Sequence, residues 1–205
     1  MVIAERLFAD HGFSGASLRD ICGAAGISIP TLVHHFGSKK KLYGSVLDRI
    51  AGSMKLYMPD PDTTTVDADA ILDMADRHLD WTIAYPHYSR LIMREVMENP
   101  GRVLEARQWH MRPIIAAYVA LIRKGQEAGV LGQFDADMFA FSFTGQIAHF
   151  YAAVTTVQGI LSIEDRAEVI ARYRRALHEN TLAMLRGYAP DQSKMVSPIR
   201  KKKGA

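Results

Sequence analysis

The residues best suited to binding chemistry lie between Ser17 and Tyr43, where the sequence predicts two short helices around a tight turn. Ser17 and Asp20 have the spacing of a capping box, which marks the start of the first helix. Gly26 supplies the positive-φ residue that a turn after this helix requires. Ser28 can cap the second helix. Two short helices joined by such a turn form a helix-turn-helix.

A short second helix of this kind suits DNA for geometric reasons. It must enter a major groove about 12 Å wide, and its N-terminus offers a partial positive charge to phosphate. Leu32 and Phe36 can bury one side of the helix. Lys39, Lys40 and Lys41 follow at the start of the next helix, where cations oppose the helix dipole. An anionic partner would offset that cost, although a solvated basic surface explains the lysines alone equally well.

Basic residues are concentrated at the two ends of the chain. Residues 1–58 carry seven Lys and Arg against four Asp and Glu, and residues 189–205 carry five against one. Residues 59–188 carry thirteen against seventeen. Because only charge concentrated on one surface attracts a polyanion, this distribution by itself favours a nucleic-acid partner only weakly.

Other chemistries have less support in the sequence. His34 and His35 are adjacent, so on a helix they point about 100° apart, and no third ligand lies nearby; we expect no metal. The sequence contains neither Gly-x-Ser-x-Gly nor His-Glu-x-x-His, and no phosphate-binding glycine loop, so we expect neither an enzyme nor a cofactor. Cys22 is the single cysteine, which excludes a disulfide framework and suits a core position.

The N-terminus and the hydropathy indicate a cytoplasmic protein with no membrane partner. Glu5, Arg6 and Asp10 lie within the first turns, unlike in a signal peptide. No apolar run approaches the length of about 18 residues that a membrane span needs. Because little chain precedes the first predicted helix, we also expect no arm that could enter the minor groove.

Apolar residues repeat with helical period along nearly the whole chain, which predicts an all-α fold. Glycine- and proline-containing stretches divide it into about nine helices. Their ranges are 1–11, 18–25, 29–35, 39–57, 68–85, 87–98, 102–127 with an interruption near Pro113, 136–159 and 163–186. These lengths indicate a three-helix head at 1–48 and a larger helical body at 49–188, followed by a basic, disordered tail at 189–205. We expect the body to be the ligand-binding and dimerisation domain.

The segment 138–157 is apolar almost all the way round. A helix that is apolar on every side must be buried on every side. We expect it to face its own core on one side and a second subunit on the other, with 163–186 beside it; a central helix of a monomeric bundle is the alternative. A dimer matters because two heads about one helical turn of DNA apart read a palindrome better than one head does.

Aromatic and polar residues between the head and this segment could line a small-molecule site. Pro113 removes a backbone donor and should open space between neighbouring helices. An apolar cavity with few polar groups is typical of such a site, although ordinary core packing is the simpler explanation for each residue taken alone. The candidates are Trp81, Tyr85, Trp109, Tyr118, Phe143 and Gln146.

Four motifs of the head occur in the order LFADHGF, AAGIS, PTLVHHF and GSKKKL. Together they resemble the DNA-binding head of the tetracycline-repressor (TetR) family over residues 3–47. Beyond residue 50 the resemblance is one of length and helix count. The positions that match the family pattern are Ser28, Pro30, Thr31, Leu32, His35, Phe36, Ser38, Lys39 and Leu42.

The resemblance implies a transcriptional repressor that binds a palindromic operator in double-stranded DNA as a homodimer and is released by an unknown small apolar or amphipathic ligand. The residues implied to contact DNA are Ser17, Ser28, Ile29, Pro30, Thr31, Val33, His34, His35, Lys39 and Lys41. Among them, Ser17, His35 and Lys39 would contact phosphate, while Ile29 and Pro30 would meet apolar base features.

Thr31 and His34 would contact phosphates or base edges by the same resemblance. Two departures from the family pattern alter the expected contacts. Val33 stands where the family usually has a Tyr whose hydroxyl meets a phosphate, and Lys40 replaces a usual Glu. The head is therefore expected to lack one directional phosphate contact and to be unusually basic. The alternative function is a helical DNA-binding or RNA-binding architectural protein without ligand control.

Overall fold

The computed structural model of the chain describes residues 1–60, 65–98 and 110–185. The described residues form helices and no strands, which confirms the predicted all-α fold. None of the described helices is long and apolar enough to cross a membrane. The helices are α1 (Val2–Gly15), α2 (Leu18–Ala25), α3 (Ile29–Phe36), α4 (Lys39–Lys55), α5 (Ala68–Ala84), α6 (Pro86–Glu98), α7 (Arg112–Glu127), α8 (Ala136–Ala152), α9 (Val154–Leu161) and α10 (Arg166–Leu185).

Local sequence signals set the bounds of the helix-turn-helix. The Ser17 hydroxyl accepts a hydrogen bond from the backbone N–H of Asp20 at 3.0 Å and donates to its carboxylate at 2.6 Å. This capping box holds the pKa of the Asp20 carboxyl below its usual value. Gly26 ends α2 in the left-handed region at φ 65°, and Ser28 caps α3 by accepting from the N–H of Thr31 at 3.2 Å. The predicted motif is present in the structure.

Several helix bounds differ from those predicted. Helix α1 continues past residue 11 to Gly15, with a kink at Gly12, which takes a non-helical conformation at φ 70° and ψ 177°. The predicted helix 136–159 is divided at Ala153, whose φ of −101° and ψ of 4° leave the helical region. The last helix begins at Arg166 rather than at 163. The predicted tail at 189–205 and residues 102–109 of the predicted seventh helix lie outside the described residues.

One apolar core extends from the head into the body. Phe8 and Leu32 of the head, Ile50 of α4, and Leu79 and Phe143 of the body belong to a single cluster of buried side chains. Helix α4 passes through this cluster, so the predicted domain boundary at 48–49 falls within a continuous helix. Head and body therefore share packing, and the boundary between them stays a prediction.

Buried polar contacts join α1 and α4 to α6. Glu5 is buried, its Oε1 lies 3.2 Å from Arg49 Nε, and its Oε2 accepts a hydrogen bond from the Tyr88 hydroxyl at 3.2 Å. Burial and the nearby Glu5 carboxylate raise the pKa of Tyr88. In a second contact the Tyr43 hydroxyl donates to Glu95 Oε2 at 2.7 Å. These contacts fix how the first helix of the head lies against the body.

The backbone conformation of Gly12 predicts that a substitution there destabilises the protein. Gly12 has φ 70°, and a Cβ built there would lie 2.6 Å from Glu98 Oε2. We expect Gly12→Ala to lower the free energy of unfolding by about 1–3 kcal/mol, because this conformation strains any residue with a Cβ. Urea unfolding at one fixed protein concentration measures the change.

Gly23 provides the matched control for this substitution. It lies within α2, and a Cβ there would meet nothing within 4 Å. Gly23→Ala should raise the free energy of unfolding by about 0.5–1 kcal/mol, because Ala is the better helix former. A Gly12→Ala variant as stable as the wild type would show that the kink in α1 accommodates a residue with a Cβ without strain.

Candidate nucleic-acid interface and internal cavity

Helix α3 presents most of its surface to solvent. Its Leu32 is 2% exposed and anchors the helix on the core. The side chains predicted to read DNA are all exposed: Ile29, Pro30, Thr31, Val33, His34 and His35. The helix is short, and its exposed side chains combine methyl groups with hydrogen-bonding rings and a hydroxyl. Such a surface can meet both the thymine methyl and the polar base edges of a major groove.

Three of the predicted DNA-binding hydroxyls already make bonds within the chain. The Ser28 and Thr31 side-chain oxygens lie 2.8 Å apart at the start of α3. The Ser17 hydroxyl donates to the Asp20 carboxylate. A phosphate contact from Ser17 would compete with this bond, so the predicted contact stays a prediction. The backbone of α3 near Ser28 remains oriented with its N-terminus at the surface.

The three lysines at the start of α4 differ in their surroundings. Lys39 is half-buried, with its Nζ 3.4 Å from the carbonyl oxygen of Ser14 and 4.7 Å from the ring centre of Phe13. Lys40 and Lys41 are exposed. Within the described part of the chain, none of the three forms an ion pair. Their positive charge is therefore uncompensated beside α3.

The two histidines of α3 make a polar surface and no metal cluster. The rings of His34 and His35 meet edge to face with centres 5.7 Å apart, and both are exposed. Among the residues that the structure describes, no three His, Cys, Asp or Glu side chains lie together as a metal site would require. Cys22 is buried in the core of the head.

A cavity of about 180 Å³ lies in the body, between helices α4 to α8. Its wall, as far as the described residues form it, is almost entirely apolar and contains no Asp, Glu, Lys or Arg. The lining residues are Met54, His78, Trp81, Ser89, Ile92, Met93, Val96, Met111, Ile114, Ile115, Phe141, Thr144, Gly145 and Ala148. A mostly apolar wall with few polar groups is the usual character of a small-molecule site.

The structure distributes the predicted ligand-binding residues unevenly around this cavity. Trp81 lines it. Tyr118 and Phe143 are fully buried behind the wall, with their ring centres 5.6 Å apart. Tyr85 stacks against another tyrosine, Gln146 is half-buried, and neither is a lining residue. Trp109 lies outside the described residues.

The remaining wall comes from residues that the sequence analysis did not select. Ser89, Ile92, Met93 and Val96 recur at helical spacing along α6, and this spacing was the available signal. On α8, the outer face that includes Phe141 lines the cavity. Part of the apolar surface that was expected to meet a second subunit therefore borders the cavity of the same chain.

His78 and Tyr118 form a buried polar pair at the wall. The Tyr118 hydroxyl lies 2.9 Å from His78 Nδ1, and neither residue is exposed. Burial lowers the pKa of His78 to about 3, because an uncompensated imidazolium is disfavoured in an apolar environment. Burial also raises the pKa of Tyr118. Both groups are uncharged at neutral pH, so the polar part of the wall carries no charge.

Helix α4 contacts both the cavity and the head. At its C-terminal end Met54 lines the cavity, and the neighbouring Ser53 accepts a hydrogen bond from Trp81 Nε1 at 3.0 Å. In its middle, Asp48 lies 2.5 Å from the ring Nδ1 of His110. At its N-terminal end are the lysines beside α3. We call Lys39, Lys40 and Lys41 beside α3 the basic corner. One continuous helix thus connects this basic corner with the cavity wall.

Both halves of the chain match families of known regulators. Residues 2–46 match the family described as bacterial regulatory proteins, tetR family. Residues 73–194 match the family described as tetracyclin repressor-like, C-terminal domain. The two matched segments contain the helix-turn-helix and most of the cavity wall.

Individual proteins give the same result. The chain is 35% identical over 127 residues to the HTH-type transcriptional repressor SCO4008 of Streptomyces coelicolor; the match covers 60% of this chain and 61% of that relative, which is less than two thirds of its length. It is 25% identical over 166 residues to the HTH-type transcriptional regulator RutR of Escherichia coli, covering 79% and 76%. The solved structure of SCO4942 from Streptomyces coelicolor superposes with a TM-score of 0.67 at 25% identity, covering 89% and 94%. The chain belongs to the TetR family of DNA-binding transcriptional regulators.

Proposed function

We propose that this protein is a homodimeric repressor that binds a palindromic DNA operator and releases it when a small, mostly apolar molecule occupies the internal cavity. The observation that carries this proposal is the course of α4. Its first turn holds Lys39, Lys40 and Lys41 beside α3, and its last turn places Met54 in the cavity wall. No part of the ligand would need to touch DNA.

The contacts of α4 support a mechanical route between the two sites. A ligand that displaces Met54, or tilts Trp81 and so pulls on Ser53, acts directly on the C-terminal end of this helix. Buried Leu42 belongs to the same core as Leu32 of α3, so displacement of α4 also moves the recognition helix. The ligand weakens operator binding only to the extent that it binds the displaced arrangement more tightly.

Selection of bound sequences from a random DNA pool tests the proposed function most directly. A two-fold symmetric consensus is expected, because two identical heads related by a two-fold axis read the same half-site twice. The measurement uses the full chain at physiological salt. Recovery of no consensus would refute an operator-specific repressor and favour the architectural alternative.

The side chains that face DNA in this proposal should divide into two groups: those that contact phosphates and position the protein, and those that contact bases and recognise the sequence. Lys41 is exposed, so Lys41→Ala should weaken binding to operator and to random DNA alike. The slope of log affinity against log salt should fall by about two per dimer, roughly one for each phosphate that is no longer neutralised. His34→Ala should instead reduce the preference for operator over random DNA, by about 1–3 kcal/mol for each base that the side chain reads. Salt-dependent fluorescence anisotropy on both DNAs measures these effects.

Lys55 is the matched control for Lys41. It is an exposed lysine on the same helix, at the end far from α3. Lys55→Ala removes the same net charge and should leave both affinities nearly unchanged. Equal losses of affinity from Lys41→Ala and Lys55→Ala would mean that overall charge, and not the basic corner, determines DNA binding.

An open groove on the body supports the proposed dimer. It lies between α10 and the segment of α8 and α9, has a volume of about 420 Å³, and is lined by apolar residues with a basic and acidic rim. Phe150 and Tyr173 stack at its base with ring centres 3.6 Å apart. The rim holds Arg172, Arg175 and Glu179, a mixture that can pair with itself across a two-fold axis.

Ala176 allows the dimer to be tested without disturbing the fold of one subunit. It lines the groove and is exposed in the single chain. Ala176→Glu should split the dimer, because a second subunit would bury an unpaired carboxylate. Ala24→Glu, on an exposed position of α2 in the head, is the control and should leave the mass unchanged. Light scattering at micromolar concentration gives the masses, and a monomeric wild type would contradict the proposal.

A further inference from the structure

We infer that the cavity binds an uncharged, mostly apolar molecule of about the size of a substituted single ring, carrying one carbonyl or hydroxyl oxygen. This inference rests on the proposed function in one respect, since it takes this cavity to be the effector site. It goes further by deriving the chemical class of the ligand from the groups in the wall.

The described wall offers no partner to a charged ligand. None of its lining residues is Asp, Glu, Lys or Arg, and His78 is kept neutral by burial. The charged residues of α6 are engaged elsewhere: Arg94 binds Glu98 at 2.7 Å, and Glu95 accepts from Tyr43. A carboxylate or phosphate in this cavity would lose its hydration without a compensating cation, which is strongly unfavourable.

Of the four polar side chains in the described wall, two have a hydrogen-bond donor left for a ligand oxygen. Trp81 already donates its indole N–H to Ser53, and the Thr144 hydroxyl donates to the carbonyl oxygen of Ala140 at 2.9 Å. The other two are His78 and Ser89. The Ser89 hydroxyl oxygen is buried and has no hydrogen-bond partner within the described residues.

The hydrogen bond behind the wall determines what His78 can offer. The buried Tyr118 hydroxyl needs an acceptor, and His78 Nδ1 lies 2.9 Å away. If Nδ1 accepts, the neutral imidazole carries its proton on Nε2, which makes the ring a donor. Ser89 can donate or accept. A carbonyl oxygen has two lone pairs and can accept from both residues, whereas a hydroxyl can accept from His78 and donate to Ser89.

The volume of the cavity limits the rest of the ligand. An apolar cavity of ~150 Å³ holds a benzene ring, so about 180 Å³ holds one ring with a short substituent. Three methionines, Met54, Met93 and Met111, line the wall. Thioether sulfur packs favourably against aromatic rings and adapts to their shape. The wall therefore favours an aromatic or similarly compact ring over a long chain.

Three probe molecules of similar shape test this assignment: butyrophenone, which has a carbonyl; butylbenzene, which does not; and 4-phenylbutyrate, which is charged. Isothermal titration calorimetry on the full chain at neutral pH gives the affinities. Butyrophenone should bind about fivefold or more tightly than butylbenzene, as expected for one or two net hydrogen bonds. We expect 4-phenylbutyrate to show no binding at the same concentrations.

Two variants test whether the named residues hold the oxygen. Ser89→Ala removes one group, and the double variant His78→Phe with Tyr118→Phe removes the other. Changing both partners leaves no buried hydroxyl unpaired, so this variant should fold. Each should reduce the preference for butyrophenone over butylbenzene while leaving butylbenzene affinity unchanged. Ser142→Ala, on an exposed position of α8 that does not line the cavity, is the control and should retain the full preference.

The outcomes separate this inference from the proposed function. Equal affinity for butyrophenone and butylbenzene, no binding of butyrophenone, or tighter binding of 4-phenylbutyrate would each overturn the inference. Operator affinity is then measured with and without saturating butyrophenone. Binding of the ketone with unchanged operator affinity would support the ligand class and refute ligand-controlled release. Release of the operator together with the expected preference would support both.

Discussion

The position of the DNA-binding head depends on the apolar core that it shares with the body. Helix α4 contributes Leu42, Val46, Ile50 and Met54 to that core, spaced so that one buried face runs the length of the helix. Burial of a large apolar side chain stabilises by about 1.5–3 kcal/mol, whereas an exposed ion pair such as the one between Asp10 and Arg90 contributes ~0–1 kcal/mol. The head is therefore coupled to the body through the packing that they share along α4.

Polar groups within this core specify its arrangement more than they stabilise it. Replacing a buried ion pair by apolar residues is often neutral or stabilising, so the contacts of Glu5 with Arg49 and Tyr88 are weak evidence for stability. They do require α1, α4 and α6 to meet in one register, because any other register would leave a carboxylate buried without a partner. The same three helices connect the recognition helix to the cavity.

Sequence reasoning succeeded where the determinants are local. The capping pair Ser17 and Asp20, the turn at Gly26 and the cap at Ser28 lie within a few residues of one another, and each acts on its own backbone. The cavity wall is assembled from five helices, so Met54 and Ser89 become neighbours only through tertiary packing. Trp81, a large aromatic residue, was predicted from the sequence as a candidate for the ligand site, and it does line the wall.

Helix α8 and two of the candidate ligand-binding residues show the same limit of reasoning from local sequence. Helix α8 is apolar all round, which indicates burial on every side but does not say by what. One of its faces meets the core, and another lines the cavity. Tyr85 and Gln146 have suitable side chains and nearby positions, yet neither is among the residues that line the cavity. Spacing along a chain determines which side chains share a helix face, and only the packing of other helices determines what that face meets.

The first turn of α4 has a further consequence for how this protein balances stability against function. It holds Lys39, Lys40 and Lys41 with no acidic residue, so three like charges repel one another at the positive end of the helix dipole. This segment is locally frustrated in the free protein, and under the proposed function a DNA phosphate relieves the frustration. Such conflicts between local preference and fold are typical of functional surfaces, where activity is retained at the expense of stability. If these lysines do bind DNA, the first turn of α4 is less favourable for the isolated chain than for the complex.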